Sequence, residues 1–163
     1  AHERSKIGCG IYSFVLWELL KKPSKDSIRR GLNKARIFYR TNPENTQYDN
    51  LYRRIGLIGL QFEDDPLMFH RFNREDIKSS GYVVDSLEAA IWCLLNTHSY
   101  KECVLMAVNL GDDTDTVAAI AGGLAGALYG YDAIPQEWRD TLIKREYIEE
   151  MCERACASWE KLK

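Results

Sequence analysis

Residues 111–123 are Gly111-Asp112-Asp113-Thr114-Asp115-Thr116-Val117-Ala118-Ala119-Ile120-Ala121-Gly122-Gly123. The first half of this run packs three carboxylates and two hydroxyls directly before a stretch that is too apolar for a protein surface. Carboxylates this close repel one another unless a cation lies between them, and Mg²⁺ prefers such all-oxygen ligands. The apolar half therefore predicts a buried helix, and the polar half predicts a metal site at its amino end.

Apolar residues recur at helical spacing in the rest of the chain as well. A first stripe ends at Lys21-Lys22-Pro23, where two cations and a proline terminate a helix, and a second begins after Ser24, which is placed to cap it. Three stripes are Ile11, Val15 and Leu19, then Ile28, Leu32, Ala35 and Tyr39, then Leu51, Ile55, Ile58 and Phe62. No strand pattern competes convincingly, so the chain is predicted to be all-α, a compact multi-helix bundle.

Two further helix starts are indicated by capping patterns. Asp85 stands three residues before Glu88, and Ser99 stands three residues before Glu102, so both pairs resemble a capping box. Asp85 is accordingly interpreted as an N-cap and not as a catalytic base. Between them these starts predict helices over the apolar runs that follow.

Glycine recurs at every fourth position of the helix that follows the acidic run, at Gly122, Gly126 and Gly130. Each glycine inside a helix costs about 1 kcal/mol relative to alanine, so three need a compensating reason. One side of this helix carries no side chains, which predicts that another backbone approaches it closely.

Length and composition indicate one globular unit over residues 1–163. The chain is 45% hydrophobic and 28% charged, and its net charge of −2 offers no basic surface for nucleic acid. Its five cysteines form an odd set without a Cys-x-x-Cys pair, which favours buried free thiols over a zinc site. No secretory signal or membrane-length apolar run is present, so we expect a cytoplasmic protein without a membrane partner.

The acidic run also fits two other interpretations. A plain N-cap needs one Asp or Thr, whereas five polar residues stand here in succession. The order Asp113-Thr114-Asp115-Thr116-Val117 also fits the nucleophile motif of haloacid-dehalogenase-type phosphatases, but that chemistry requires a preceding strand. Because Ser99 predicts a helix start before residues 103–110, the metal site is the favoured interpretation.

A family resemblance is carried by three stretches of the sequence. Residues 109–130, which include the acidic run and the glycine helix, closely resemble the C-terminal metal motif of the ADP-ribosylglycohydrolase family. Residues 80–92 resemble the substrate-facing loop of that family, and residues 1–12 resemble the region after its central Thr-His motif. The resemblance spans nearly the whole chain but only about the second half of a family member, so we expect an incomplete bundle, a fragment corresponding to the C-terminal half.

The resemblance implies a set of site residues. Asp113, Asp115 and Thr116 map onto the ligands of a site with two Mg²⁺ ions, while Gly81, Tyr82 and Val83 map onto positions that contact ADP-ribose. Asp112 stands where many relatives have a second glycine and is expected to lie beside the ligands, and Thr114 is expected to cap the helix. The family's other ligands come from a Thr/Ser-Asp-Asp motif, which does not occur in these 163 residues.

The function implied is a Mg²⁺-dependent hydrolase that removes ADP-ribose from a modified protein side chain or a small molecule. The alternative is a non-catalytic module that binds ADP-ribose or metal, or an inactive fragment, because part of the metal site is missing. The partners expected are an ADP-ribosylated protein or small ADP-ribosyl compound, and either a second copy or the absent N-terminal half. The catalytic residue, the linkage cut and the oligomeric state stay open.

Overall fold

The computed structural model describes residues 2–41, 51–52, 54 and 72–160. Contacts divide the chain into two compact units, Ala1–Ala133 and Ile134–Lys163. The predicted helix that includes Ile55, Ile58 and Phe62 lies outside the described residues. The assignment of residues 1–163 to a single all-α unit stays a prediction.

The described residues form seven α-helices and no β-strand, which confirms the predicted all-α class. Two short 3-10 turns, Arg74–Asp76 and Tyr131–Ala133, accompany them. The helices of the first unit are α1 Glu3–Lys21, α2 Lys25–Thr41, α3 Val83–Asn96, α4 Tyr100–Val108 and α5 Thr114–Tyr129. Those of the second unit are α6 Gln136–Asp140 and α7 Arg145–Glu160.

Helices α1 and α2 pack against each other along the stripes that the sequence predicts. Every residue of the first two stripes is buried. A Cβ atom added to Gly31 of α2 would lie 2.5 Å from the Cα atom of Val15, so the two backbones touch where glycine leaves room. The buried carboxylate of Glu18 accepts a hydrogen bond from Lys34 Nζ at 2.7 Å, which joins the two helices again.

Helix α5 packs against α1, α3 and α4, as its apolar sequence predicts. Its inward residues Val117, Ala121, Leu124 and Ala125 are fully buried. Helix α3 is still more enclosed, because eleven of its fourteen residues are buried. The amino ends of these two helices carry the two predicted site motifs.

The predicted N-cap at Ser99 is confirmed, and its capping box is formed only in part, because the Glu102 carboxylate bonds to the backbone of His98 in place of that of Ser99. The Ser99 hydroxyl accepts the backbone N–H of Glu102, and the Glu102 carboxylate accepts the backbone N–H of His98 at 2.8 Å. The N-cap assignment of Asp85 is wrong, because α3 begins two residues earlier and has Tyr82 at its N-cap. Tyr82 has extended backbone angles and the helical course begins at Val83, so Asp85 lies in the first turn.

The prediction of buried thiols is confirmed for Cys93 and Cys103 and wrong for Cys9, Cys152 and Cys156, which are exposed. The last two lie on α7, whose described side chains are all exposed or half-buried. Apolar residues in that stretch therefore did not guarantee a core position. None of the helices that the structure describes has the length and apolarity needed to cross a membrane.

Candidate metal and ADP-ribose site

The acidic run forms a tight turn between α4 and α5. Gly111 and Asp112 have positive φ angles of 92° and 53°, a left-handed conformation that glycine adopts freely and that aspartate tolerates better than most residues. Asp113 occupies the N-cap of α5, but its side chain makes no capping hydrogen bond. The prediction that Thr114 caps the helix is wrong, since Thr114 is the first residue of α5. The Asp113 carboxylate is thus not used for capping, which argues against the plain N-cap interpretation.

The two predicted ligand carboxylates lie next to each other. A hydrogen bond with the Asp113 carboxyl group lowers the pKa of Asp115 below its ordinary value, with smaller contributions from the backbone N–H groups of Thr116 and of Asp115 itself. Asp113 is half-buried, whereas Asp115 and Thr116 are exposed. The three side chains are therefore accessible from solvent.

This donor set fits a hard divalent cation in part. Two adjacent carboxylates and a neighbouring hydroxyl are ligands that Mg²⁺ accepts, and Mg²⁺ usually keeps waters or substrate oxygens in its remaining positions. Among the described residues, no group of three or more His, Cys, Asp and Glu side chains could hold a metal ion. Asp113, Asp115 and Thr116 can thus supply one side of a coordination shell.

The loop before α3 contacts the acidic turn directly. A Cβ atom added to Gly81 would lie 2.8 Å from Oδ2 of Asp113, so only glycine leaves this carboxylate its present position. The backbone N–H of Asp113 also donates to the carbonyl oxygen of Ser79 at 3.1 Å. The two sequence motifs, 32 positions apart, therefore form one site.

Tyr82 presents its ring and hydroxyl beside this contact, with 37% of the residue exposed. The guanidinium group of Arg4 lies 5.6 Å from the centre of the Tyr82 ring, and Arg4 Nη1 donates to the Tyr82 hydroxyl at 3.3 Å. Arg4 is placed by His2, whose ring nitrogen caps α1 and accepts from Arg4 Nε at 3.2 Å. The amino end of α1 thus adds a positive charge to the site.

Val83 lies between the site and a cavity of about 530 Å³ in the first unit. The cavity lies between α1, α3 and α5, and Val83, Leu87 and Ile120 contribute to its wall. Ile120 follows Thr116 by one helical turn on α5. An apolar cavity of this size falls in the range of small-molecule sites, and its lining includes Val83 but none of the three predicted metal ligands.

A family model for ADP-ribosylglycohydrolase matches residues 1–162. The chain belongs to the ADP-ribosylglycohydrolase family. The resemblance carried by the acidic run is thereby confirmed.

Several relatives are named as hydrolases of ADP-ribosyl groups, and one of these names specifies an arginine linkage. An ADP-ribosylarginine hydrolase of Serratia proteamaculans is 52% identical over 81 residues, which are 50% of this chain and 22% of that protein. An ADP-ribosyl-[dinitrogen reductase] glycohydrolase of Rhodospirillum rubrum is 43% identical over 72 residues, or 42% of this chain and 24% of that protein. A human ADP-ribosylhydrolase is 34% identical over 68 residues, or 35% and 19%. The matched stretches cover less than a quarter of each of these relatives.

Sequence reasoning missed four residues around this ADP-ribosylglycohydrolase site. Arg4 approaches Tyr82, and Tyr52 binds the first turn of α1, since its hydroxyl donates to the carbonyl oxygen of Arg4 at 2.8 Å. Arg54 and Glu88 form an ion pair, and Arg54 also binds the segment that leads to Gly81. Only Glu88 carried a sequence signal, as a charged residue inside an otherwise apolar helix.

Asp85, His2 and His98 each make hydrogen bonds within the described residues. The Asp85 carboxylate accepts a hydrogen bond from the Ser80 hydroxyl at 2.7 Å, which fastens the loop that carries Gly81 to α3. His2 caps α1, and His98 is exposed with its backbone N–H bound to Glu102. His70 lies outside the described residues.

Proposed function

We propose that the protein is a hydrolase that releases ADP-ribose from a modified side chain, with Mg²⁺ held in part by Asp113, Asp115 and Thr116. The observation that carries this proposal is the contact of Gly81 with Asp113, which joins a carboxylate pair to a loop suited to a nucleotide sugar. Family membership supports the same reaction. We also propose that the complete site holds two Mg²⁺ ions.

The residues of this chain would bind and orient the substrate. Tyr82 offers an aromatic face to an adenine or ribose ring and a hydroxyl for hydrogen bonding. Arg4 and the amino end of α5 provide positive potential for the diphosphate. Val83 and the adjoining cavity supply apolar surface that keeps water away from the bound sugar.

The Asp113 and Asp115 carboxylates would hold the cation at the position where the ribose approaches Gly81. A bound Mg²⁺ supplies orientation of the sugar hydroxyls and stabilisation of negative charge in such a site. Thr116 would add a neutral oxygen ligand without further repulsion. Asp112, exposed in the same turn, contributes charge beside the ligands.

Arginine is the linkage that we propose for the first assay. The relative in Serratia proteamaculans is named for ADP-ribosylarginine, and its matched stretch covers 81 residues of this chain. A protein substrate follows from this choice.

The proposal is tested by incubating the protein with an arginine-modified peptide and Mg²⁺. The released ADP-ribose is measured by chromatography. Replacing Asp113 or Asp115 by Asn should lower kcat/KM by about ten-fold or more, and EDTA should do the same. The matched control is Glu75→Gln, which removes an exposed carboxylate from the turn Arg74–Asp76. Unchanged turnover in Asp113→Asn would contradict the proposal.

A second candidate function is a binding module for ADP-ribose that does not hydrolyse it. It is favoured by the donor set, since the described residues supply only two clustered carboxylates. Calorimetry with ADP-ribose and Mg²⁺ separates the two candidates. Binding without release of ADP-ribose from any modified side chain supports the module, and turnover supports the hydrolase.

A further inference from the structure

Glu88 is a carboxylate in an apolar environment. It lies on α3 between buried Leu87 and Ala89, and only 5% of the residue is exposed. Burial of a carboxylate is costly unless a cationic partner and hydrogen bonds compensate. The partner here is Arg54, whose Nη1 lies 3.5 Å from Glu88 Oε2.

Arg54 connects Glu88 to the chain segment that precedes Gly81. Its Nη2 donates to the carbonyl oxygen of Asp76 at 2.8 Å. Its guanidinium carbon lies 4.6 Å from the centre of the Phe72 ring, which is a stacking distance. One arginine thus holds a buried carboxylate, a backbone carbonyl and an aromatic ring together.

Residues 72–82, which we call the site segment, are bonded to both motifs of the site. At the start, Trp92 Nε1 donates to the carbonyl oxygen of Phe72 at 3.1 Å, and the Arg74 guanidinium donates to the carbonyl oxygen of Leu110. At the end, Ser79 accepts from the backbone of Asp113 at 3.1 Å. A shift of the site segment therefore moves the loop of Gly81 relative to the carboxylate pair.

The charge on Glu88 changes near neutral pH. Burial raises the pKa of Glu88 to about 7, Arg54 and Lys78 oppose the rise, and Asp85 adds to it. Tyr52 also lies in this region, and burial raises its pKa far above its ordinary value, so it stays neutral. At pH 8 the carboxylate is mostly ionised, and at pH 6 it is mostly protonated.

We propose that Glu88 is a positioning residue for the ADP-ribose site, which it controls by fixing Arg54 and, through Arg54, the site segment. This inference rests on the proposed function for its effect on substrate. The ionised carboxylate holds the guanidinium group at the Asp76 carbonyl, and the segment then keeps Gly81 against Asp113. The neutral carboxyl group holds it less firmly, because a hydrogen bond between neutral and charged groups is weaker than one between two charges.

Hydrogen–deuterium exchange of the site segment tests the positioning role independently of activity. Glu88→Gln removes the charge and keeps the shape of the side chain. At pH 8 we expect amides of residues 72–82 to exchange about five-fold faster in Glu88→Gln than in wild type, and at pH 6 we expect no difference. The KM for an ADP-ribosylarginine peptide should rise by a similar factor at pH 8, with kcat within two-fold of wild type.

The matched control is Glu18→Gln, since Glu18 is also a helical carboxylate with 5% exposure, but its partners Arg30 and Lys34 lie on α2. It should leave exchange of the site segment unchanged. Equal exchange in wild type and Glu88→Gln at pH 8, or equal loosening by Glu18→Gln, would overturn the inference. If the exchange result is as expected but wild type releases no ADP-ribose, the proposed function fails while the positioning of the segment stands.

Discussion

Substitution of Gly81 by alanine tests the geometry that joins the two motifs. The added methyl group would lie 2.8 Å from Oδ2 of Asp113, whereas ordinary contact begins at about 3.4 Å. The carboxylate must therefore move by about 0.6 Å. Because it is the end of a side chain at an open turn, it can move without displacing the backbone.

A displacement of this size matters more for a metal than for the fold. Ligand distances in metal sites vary by only about 0.2 Å, and Mg²⁺ tolerates distortion poorly. We expect Gly81→Ala to weaken Mg²⁺ binding about ten-fold or more, the usual effect of disturbing groups that orient a ligand. The free energy of unfolding should change by less than about 1 kcal/mol, since alanine at an exposed loop position also restricts the unfolded chain.

Titration calorimetry with Mg²⁺ and chemical denaturation measure the two effects on the same samples. The control is Gly126→Ala, where the nearest atom of the described residues to the added methyl group would be Tyr100 Cε2 at 4.0 Å. That variant should bind Mg²⁺ like wild type and gain up to about 1 kcal/mol of stability, because alanine favours the helix. Wild-type Mg²⁺ affinity in Gly81→Ala would refute the assignment of Asp113 as a ligand held by this contact.

Three further predictions concern stability and are checked by denaturation. Burial raises the pKa of Glu88 from 4.5 to about 7, so the stabilisation from its protonated carboxyl group is complete below pH 4.5 and is lost as pH rises through 7. Between pH 5 and 8, the free energy of unfolding of wild type should therefore fall by up to about 3 kcal/mol relative to that of Glu88→Gln. Equal pH dependence of the two proteins would contradict this. Gly31→Ala should destabilise by about 1–3 kcal/mol, because its methyl group meets the backbone of Val15 at 2.5 Å and neither helix can yield locally. Ser99→Ala should cost about 1 kcal/mol through loss of the α4 cap, and a loss below 0.3 kcal/mol would show that the Ser99–Glu102 bond is not needed.

The exchange and denaturation results for Glu88→Gln together separate two roles. A purely structural carboxylate would change global stability and local protection in the same direction. A positioning carboxylate should give a variant whose free energy of unfolding falls less than that of wild type between pH 5 and 8, yet whose site segment exchanges faster at pH 8. Binding proteins often have sites whose fixed geometry lowers the free energy of unfolding.

The helices were predictable because their signals are local. The stripe of Ile11, Val15 and Leu19 repeats at the helical period, and all three residues are buried. The Ser99 cap follows from side-chain chemistry within four residues. The Asp85 cap failed for the same reason that helix boundaries are generally hard to predict, since Val83 and Val84 continue the helix without a distinctive signal.

The site was predictable only in its composition. The crowded oxygen atoms of Asp113, Asp115 and Thr116 predict a metal site, which stays a prediction, and the family model matches the stretch that contains them. The contact of Gly81 with Asp113 and the approach of Arg54 to Glu88 join residues more than 30 positions apart. Such pairs depend on how helices pack, which no local pattern specifies.

The prediction that another backbone approaches the glycines of α5 is wrong. Their spacing predicted close approach of another backbone, but the atoms that fill the space beside Gly122 and Gly126 belong to Tyr100 and Val104 side chains. Gly123 likewise faces the hydroxyl of Tyr12, 2.5 Å from where a Cβ atom would be. Tyr12 of α1 therefore packs at Gly123, and Tyr100 of α4 packs at Gly122 and Gly126. Together these two tyrosines fix the rotation of α5. Because Asp113 and Asp115 stand at the amino end of that helix, the same tyrosines set the direction in which the carboxylate pair faces.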